Sequence, residues 1–353
     1  MGIEKIDKNF EIQKGQDGDK ACYEIPHSLF ALHGVFYEEP QGFVRVPSNV
    51  AQRVSDGVRT LSKHTSGGRL CFSTDSASMQ IKVSYDEFWI MSHMPLTGSA
   101  GFSLHEDMGE GERFVGNFMP ISSDAKGFTA ELKLQGGKMH KYVLYFPLYN
   151  EVKSLSVLLD ASACVEKYNP YKQQKPILYY GSSITQGGCA SRPDNAYPAL
   201  ICKKNRVDYI NLGFSGSAKG EELMVDYLTE FDCSLFVCDY DYNAPTAEHL
   251  QATHYALYQR YRKKRPNTPI LFISKADWQR DPEGDMRCAI IQNTYQRAKK
   301  EGDEKVYFLS GKDIYEGKDS GEYTVDGCHP TDCGFRKMAD AIYKKMRAIR
   351  IEE

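Results

Sequence analysis

The chain has 353 residues, of which 41% are hydrophobic and 26% are charged, as is typical of a soluble globular protein with room for two domains. Its 44 Lys and Arg residues nearly balance its 47 Asp and Glu residues, so the net charge is −3. This balance gives no electrostatic basis for binding nucleic acid or a charged membrane surface. The expected partner is a neutral or small substrate.

The sequence predicts neither a membrane span nor a targeting segment. No stretch comes near the roughly 20 consecutive apolar residues that a transmembrane helix needs. The N-terminal stretch, MGIEKIDKNFEIQKGQDGDK, lacks the apolar centre of a secretory signal, and Ile6 stands where a myristoylation signal needs Ser or Thr. The expected location is the cytoplasm, or the periplasm or cell exterior if a leader has been removed. Oligomeric state is left open.

Ten cysteines are scattered along the chain without a Cys-x-x-Cys pair, which argues against a zinc ribbon or a thioredoxin-type site. Cys328, His329 and Cys333 are close in sequence but lack a fourth ligand at a suitable spacing. We therefore predict no metal and no other cofactor. Scattered cysteines usually behave as small buried hydrophobic residues, and they favour a reducing compartment.

Residues 1–170 have the pattern of β structure. Polar and apolar residues alternate in RLCFSTD, SMQIKVSY, AELKLQ and KYVLYFPLY, and clusters of Gly, Ser, Asp or Asn separate these stretches. Short strands at this spacing predict a jelly-roll-like β-sandwich, which would be an accessory domain. Its last strand is expected at residues 155–160. The polar segment 166–176, which contains Pro170 and Pro176, is the predicted linker.

Residues 177–353 alternate between apolar strands and amphipathic helices. The strands are predicted in ILYYG, DYINLG, SLFVCDYDY, PILFIS and KVYFLS. This order predicts a three-layer α/β/α domain in which helices cover both faces of a mainly parallel sheet. Ligands of such sheets bind at the carboxyl ends of the strands, so we expect the loops after the strands to carry the chemistry.

Three strand-end loops offer groups suited to acyl chemistry. Residues 181–187 place two serines at the start of a helix, where backbone amides favour negative charge, although a simple helix cap has the same pattern. Residues 211–217 contain glycines that let backbone amides approach a ligand, or that only form a turn. Asn243 follows the third strand, and its amide can donate to an oxyanion or begin a turn.

A histidine with a nearby acid occurs in a loop close to the C-terminus. Asp326 precedes His329 by three residues in VDGCHP, so its carboxylate can hold one imidazole nitrogen while the other acts as a general base. A single histidine is a weak signal, because the chain has nine. Four loops at one sheet edge, each with one required group, together indicate nucleophilic catalysis.

The order of the Ser loop, the Gly loop, the Asn loop and Asp-x-x-His resembles the SGNH/GDSL hydrolases over roughly residues 177–350. This resemblance implies a flavodoxin-like hydrolase domain and a serine esterase. Ser183 matches the nucleophile, and Asp326 and His329 match the rest of a catalytic triad. The pattern departs from the family in GSSITQGG, where Ser182 replaces the usual aspartate. Ser182 and Ser183 are therefore alternative nucleophiles at this stage.

The same resemblance implies an oxyanion hole. The backbone amides of Ser183 and Gly216 and the side-chain amide of Asn243 match the family's three donors. The assignment of Asn243 is the weakest of the three, because DYDYNA replaces the family's Gly-x-Asn-Asp pattern.

The first half of the chain resembles the β-domain with a Gly-x-Asp-Leu-Tyr signature that precedes some bacterial SGNH hydrolases. The matching stretch is GFSLH, in which Ser103 and His105 stand where Asp and Tyr are expected. The resemblance implies a structural domain that shapes one wall of the cleft, or one associated with carbohydrate by analogy.

The expected reaction is hydrolysis of short-chain esters, mainly acetyl esters, through an acyl-enzyme. The family's link to acetylated sugars, together with 23 Tyr, 17 Phe and 2 Trp residues, favours a carbohydrate substrate. Trp278 could stack on a sugar ring, although such a Trp more often covers the core edge. Arg192 and Arg287 could meet an acidic group of the substrate or stay solvated.

Two alternatives are open. A lipase or thioesterase of the same superfamily would need an apolar acyl tunnel and an activity that rises with acyl length. A non-catalytic carbohydrate-binding protein would require a decayed hydrolase half, against which the five matching residues argue. Cysteine-protease chemistry through Cys328 is disfavoured, because a cysteine directly beside its own histidine seldom faces it.

Overall fold

The computed structural model describes residues 19–120, 126–172, 175–315 and 320–349. The N-terminal strands are β1 (Lys20–Ile25), β2 (Ala31–His33), β3 (Phe36–Glu38), β4 (Gly42–Val44), β5 (Arg69–Thr74), β6 (Ser78–Ser84), β7 (Phe102–Asp107), β8 (Glu112–Phe118), β9 (Gly127–Lys133), β10 (His140–Tyr145), β11 (Ser154–Asp160) and β12 (Val165–Lys167). Three short helices interrupt them: α1 (Ser48–Val54), α2 (Asp56–Leu61) and α3 (Leu96–Ser99).

Two antiparallel sheets pack face to face in this half. One sheet has the order β1-β11-β6-β9, and the other has the order β12-β5-β10-β7-β8, with β2 also paired to β5. Met79 and Ile81 of β6 alternate inward and share one core with Leu70 and Phe72 of β5. The period-two pattern of the sequence thus becomes the interior of a sandwich, and the predicted antiparallel β region is confirmed.

The last strand of the sandwich differs from the prediction. We expected it at residues 155–160 and a linker from residue 166. Instead, β12 pairs with β5, so that Val165 lies opposite Thr74 and Lys167 opposite Phe72. A three-residue strand with two charged side chains has too little hydrophobic pattern to be recognised, although such residues suit the edge of a sheet.

The second half contains β13 (Ile177–Gly181), α4 (Ser183–Gln186), α5 (Tyr197–Asn205), β14 (Tyr209–Gly213), α6 (Glu222–Leu228), β15 (Leu235–Asp239), α7 (Ala247–Lys264), β16 (Ile270–Ile273), α8 (Gly284–Lys300), β17 (Val306–Leu309) and α9 (Asp332–Ala348). The five strands are parallel in the order β14-β13-β15-β16-β17. Ile177 and Tyr179 pack with α5 and α9, whereas Leu178 and Tyr180 pack with α6, α7 and α8. The predicted three-layer α/β/α architecture is confirmed.

The strand order sets the position of the loops. β13 lies between β14 and β15, so the chain leaves β13 toward one side of the sheet and later returns on the other. The crevice at such a switch point is where open α/β sheets bind ligands. The first three loops expected to carry chemistry follow these three strands and therefore meet at one edge.

Side chains from the first half also enter the cores of the second. Val58 and Leu61 of α2 share one core with Met224 of α6, and Tyr149 shares the other with Tyr197 of α5. The division into domains at residues 1–170 and 177–353 thus stays a proposal. In the described part of the chain, every helix is too short or too polar to span a bilayer.

Candidate active site

The two serines after β13 have different environments. The Ser182 hydroxyl oxygen accepts a hydrogen bond from the backbone amide of Ile184 at 3.1 Å, which makes Ser182 the N-cap of α4. Ser183 is the first helical residue, and its Oγ lies 2.8 Å from Nε2 of His329. Ser182 is therefore held by the helix cap, while Ser183 faces the histidine.

Asp326 holds the opposite side of the His329 ring. Its Oδ2 lies 2.7 Å from Nδ1 of His329, and its Oδ1 accepts the backbone amides of Cys328 at 3.0 Å and His329 at 2.8 Å. Burial raises the pKa of Asp326, but these hydrogen bonds outweigh it and bring the pKa to about 2. The ionised carboxylate favours a proton on Nδ1, which leaves Nε2 able to accept from Ser183.

The second loop lies against α4. A Cβ on Gly213 would be 2.2 Å from the backbone nitrogen of Gln186, so only glycine permits this close approach. The Gln186 side chain accepts the backbone amide of Ser215 at 3.0 Å. Gly216 follows with φ of +64°, and the position of a Cβ there is open space. The peptide at Gly216 therefore borders open space in the loop that contacts α4.

Asn243 joins the third loop to the second. It ends a short 3-10 helix, and its Nδ2 donates to the carbonyl of Phe214 at 2.7 Å. An amide group has two N–H donors, so this bond leaves one of them for another acceptor. Within the described chain, the structure brings Asn243 to the Gly loop but shows no hydrogen bond between Asn243 and Ser183 or His329.

A buried layer beneath the serine was missed by the sequence interpretation. Tyr149 donates its hydroxyl to the carbonyl of Ser183 at 3.1 Å, and Asn211 donates to the carbonyl of Thr185 at 2.7 Å. Asp239, at the end of β15, is fully buried against the hydroxyls of Thr185 and Tyr197, both at 3.4 Å. Burial raises the pKa of Asp239 well above its usual range, which favours the protonated form of this carboxyl.

The first half of the chain contributes a segment beside the histidine. The ring of His93 lies 5.7 Å from that of His329. Four residues earlier, Trp89 is held at its backbone by the buried Asn150, which accepts its amide at 2.7 Å and donates to its carbonyl at 3.1 Å. Trp89 is 38% exposed and borders a cavity of about 320 Å³. The sequence signal was weak, because this segment has neither a regular period nor a family motif.

Trp278, the predicted sugar-stacking residue, begins a short 3-10 helix after β16. It is half-buried, and the Lys312 ammonium lies 4.3 Å from its ring centroid. Of the two arginines considered for an acidic substrate, Arg287 is buried and bonded to Asp241 at 2.9 Å. Arg192 lies 3.1 Å from Asp194. Both arginines have partners within the protein.

Two cysteines lie close to the histidine, but neither has the character of a nucleophile. Burial raises the pKa of both Cys189 and Cys328 to about 12, so both remain thiols near neutral pH. All ten cysteines of the chain are free. A thiolate mechanism therefore has no support at this site.

The unusual signature of the N-terminal half lies on β7. Ser103 is fully buried, and Nε2 of His105 lies 3.1 Å from Asp194 of the second half. On the other side of the ring, Nδ1 lies 3.7 Å from Glu112. Histidine in place of the family's tyrosine thus lies between one carboxyl group from each half of the chain.

Comparison with known proteins gives a family match for each half of the chain. Residues 174–347 match the model of the GDSL-like Lipase/Acylhydrolase family, and residues 23–165 match a model described as the N-terminus of Esterase_SGNH_hydro-type. The fold and these matches define a hydrolase that acts on ester bonds. The chain belongs to the SGNH/GDSL hydrolases, with the GxDLY-type β-domain at its N-terminus. No curated protein matches it.

Several solved structures share the whole fold. A protein from Bacteroides ovatus ATCC 8483, described as a GDSL-like lipase, is 26% identical, with 94% of this chain and 98% of that chain covered and a TM-score of 0.84. The salicylyl-acyltransferase SsfX3 from a tetracycline biosynthetic pathway is 18% identical, with 95% and 99% covered and a TM-score of 0.79. The acetyl xylan esterase Est2A from Butyrivibrio proteoclasticus is 12% identical, with 95% and 100% covered and a TM-score of 0.60.

Proposed function

We propose that Ser183, His329 and Asp326 form the catalytic triad of a serine esterase. One observation carries this proposal: the continuous chain of contacts from Ser183 Oγ to His329 Nε2 at 2.8 Å and from His329 Nδ1 to Asp326 at 2.7 Å. These are the distances that proton transfer between a hydroxyl and a braced imidazole requires. Ser183 is itself buried, at 8% exposure, whereas His329 and Asp326 are partly exposed.

The proposed reaction has two halves. His329 takes the hydroxyl proton as Ser183 Oγ attacks the ester carbonyl, and it then gives that proton to the departing alcohol. An acyl-enzyme remains on Ser183. Water attacks this ester with His329 again as the base, and the acid leaves as the hydroxyl is restored. Every proton transfer in this sequence uses a side chain of the protein.

The oxyanion formed in each half requires hydrogen-bond donors. We assign them to the backbone amides of Ser183 and Gly216 and to the side chain of Asn243. The open space at Gly216 and the second N–H of Asn243 support this assignment. Each donor in such a hole typically contributes about 2.7–4 kcal/mol of transition-state stabilisation.

The proposed substrate is a short-chain ester, most simply an acetyl ester, on a carbohydrate. The fold of the acetyl xylan esterase named above supports this substrate class. The exposed Trp89 also supports it, because an aromatic face beside polar groups suits a sugar ring. The cavity at Trp89 has carboxylate, ammonium and amide groups around it, among them Glu87, Lys63 and Gln52. A polar lining of this kind suits hydroxyl groups better than an acyl chain.

The nucleophile is tested by comparing Ser183→Ala with Ser182→Ala on p-nitrophenyl acetate. We expect Ser183→Ala to lower kcat by on the order of 10⁴-fold or more while the circular dichroism spectrum is unchanged. Ser182→Ala should cost about 0.5–2 kcal/mol of stability through the lost cap and keep most of the activity. The reverse pattern would move the nucleophile by one residue.

The substrate class is tested with acetyl, butyryl and octanoyl esters and then with acetylated oligosaccharides. We expect the acetyl ester to be preferred and the acetylated oligosaccharide to be deacetylated. A preference for octanoyl esters would indicate the lipase or thioesterase alternative. Binding of an oligosaccharide without hydrolysis of any ester would indicate a non-catalytic carbohydrate-binding protein.

A further inference from the structure

Three metal-binding groups converge at the mouth of the site. The ring of His93, the thiol of Cys189 and the ring of His329 each place one potential ligand atom within 4.8 Å of the other two. They come from three distant parts of the chain, one in the N-terminal half and two in the hydrolase half. The sequence spacing gives no sign of this cluster, because only Cys328 and Cys333 are close to His329 along the chain.

Cys189 is held in place by an unusual backbone. Its φ of 74° is in the left-handed region, where a non-glycine residue is uncommon, and it is only 5% exposed. The preceding residue lies directly against the histidine, since a Cβ on Gly188 would be 3.1 Å from Cδ2 of His329. Strained residues of this kind persist where the surrounding structure fixes them, and they often occur at functional sites.

His329 already has the arrangement that metal-bound histidines show. Its Nδ1 lies 2.7 Å from the Asp326 carboxylate, which fixes the ring orientation and makes Nε2 a more basic ligand for a metal. His93 is exposed, so its ring is free to turn toward the same point. In zinc sites the nitrogen and sulfur ligands lie about 3.3–3.7 Å apart. The separations in the cluster must therefore shorten by at most about 1.5 Å, which rotation of an exposed histidine can supply.

We propose that a zinc ion binds His93, Cys189 and His329 and reversibly switches off hydrolysis. Two imidazoles and one thiolate form a ligand set that binds zinc in preference to magnesium or calcium. A water molecule would occupy the fourth position. The thiol proton of Cys189 passes to the solvent when the sulfur binds. The metal occupies Nε2 of His329, which is the atom that faces Ser183, so the ion removes the general base.

This arrangement also joins the two halves of the chain. His93 belongs to the segment that follows Trp89 in the N-terminal half, whereas the other two ligands belong to the hydrolase half. A bound ion should therefore raise thermal stability while it lowers activity, because it binds the folded state alone. Non-specific damage by zinc would lower both. The inhibition rests on the proposed function of His329, but the binding does not.

The test uses the full chain with Zn²⁺ as inhibitor and Co²⁺ as a spectroscopic substitute. We expect Zn²⁺ to abolish p-nitrophenyl acetate hydrolysis, EDTA to restore it, and Mg²⁺ to have no effect. The melting temperature should rise with Zn²⁺. Co²⁺ should give a thiolate-to-metal charge-transfer band that is absent from the Cys189→Ser variant. A missing band in the parent protein would overturn the proposal.

Two variants separate this site from other causes of inhibition. His93→Ala and Cys189→Ser should each hydrolyse the ester without zinc and need at least tenfold more zinc for half inhibition. His93 is exposed, so its variant also covers the case in which Cys189→Ser fails to fold. Cys328→Ser is the matched control beside His329 and should keep full zinc sensitivity. Unchanged sensitivity in His93→Ala would overturn the proposal.

The metal site and the esterase can fail separately. If the parent protein hydrolyses no ester but shows the cobalt band, and Cys189→Ser lacks it, the metal site stands and the proposed function does not. If hydrolysis is normal but zinc neither inhibits nor stabilises the protein, the metal site is wrong and the triad remains. Ser183→Ala should retain the cobalt band, since Ser183 is not a ligand.

Discussion

The strand-end site and the interface between the two halves use charged groups in opposite ways. At the site, Asp326 and His329 are partly exposed and sit three residues apart in one loop. At the interface, the Arg69 side chain is fully buried and pairs with Asp208, which lies 139 residues further along the chain. The site holds its acid and its base where a substrate can reach them, and the interface holds its charges largely away from water.

The interface has a consistent construction. Arg69 lies over the ring of Tyr209 at 3.8 Å and donates to its carbonyl at 3.1 Å, while His33 lies 3.0 Å from Asp208. Arg45 donates to the carbonyls of Asn211 and Gly213 at 2.9 and 2.7 Å. Both buried arginines thus donate to backbone carbonyls of β14, the strand that leads into the Gly loop. The interface thus supports the site without contacting a substrate.

This difference predicts that removing a charge from the site lowers the activity far more than the stability of the protein. Asp326→Asn keeps an oxygen for the backbone amides but no longer favours the Nδ1-protonated form of His329. We expect kcat for p-nitrophenyl acetate to fall by about 10²–10⁴-fold. Urea unfolding should change less than in an Arg69→Met variant, because Asp326 is partly exposed and its interactions are screened by solvent. A variant with normal kcat would show that Asp326 is dispensable for hydrolysis and that its charge does not serve the reaction.

The interface should show the reverse effect. Arg69→Met leaves Asp208 in a largely buried position without its main partner. Removing one member of a buried ion pair typically destabilises a protein by about 3–5 kcal/mol, which urea unfolding would measure. The activity per folded molecule should stay close to that of the parent. Arg59→Met is the control, because the Arg59–Asp56 pair is largely exposed and should contribute little.

Asn243 has two roles in the proposed site: it donates to the oxyanion, and it holds the Gly loop. Asn243→Ala removes the proposed oxyanion donor and also the bond to the Phe214 carbonyl. We expect kcat to fall by about a hundredfold or more, with KM less affected, because the donor acts mainly in the transition state. A fall in stability with no change in kcat would assign Asn243 to holding the Gly loop alone.

The two regions also differ in how far the sequence predicts them. The triad residues could be named because each chemical role needs one residue type, and parallel strands bring their loops to one edge. Arg45 and Arg69 could not, because their partners are set by how the two halves pack, and Asp239 could not, because its partners lie on other elements of the second half. Contacts between separate segments of the chain also place β12, Trp89 and His93. A sequence pattern reports periodicity and chemistry within a segment, and contacts between segments leave no such pattern.

The interface also makes stability depend on pH. Burial raises the pKa of Asp194, but its contacts with His105, Lys203 and Arg192 outweigh this and hold the pKa well below its usual range. A carboxyl with a lowered pKa stabilises the folded state above its unfolded pKa, about 3.9, and this contribution is lost as the pH falls below that value. Urea midpoints measured between pH 6 and 3 should therefore fall less steeply in Asp194→Asn than in the parent.

A matched control checks that this slope comes from the interface. Asp56→Asn removes a carboxylate that is 94% exposed and should leave the parent's slope unchanged. Equal slopes for all three proteins would mean that the Asp194 carboxyl contributes no pH dependence. The buried Asp194 and the exposed Asp56 would then contribute equally little to the pH dependence of stability.

The smallest effect we expect concerns the two tryptophans. Trp89 is exposed beside the cavity of the first half, whereas Lys312 lies over the ring of Trp278. A stacking contact worth about 1.4 kcal/mol corresponds to a tenfold change in affinity. Trp89→Ala should therefore raise KM for an acetylated oligosaccharide by about tenfold and leave p-nitrophenyl acetate unaffected, because the small ester reaches only Ser183. Trp278→Ala should have less effect. If Trp278→Ala gives the larger increase, the sugar lies along the β16 loop, and the first half shapes the cleft without binding substrate.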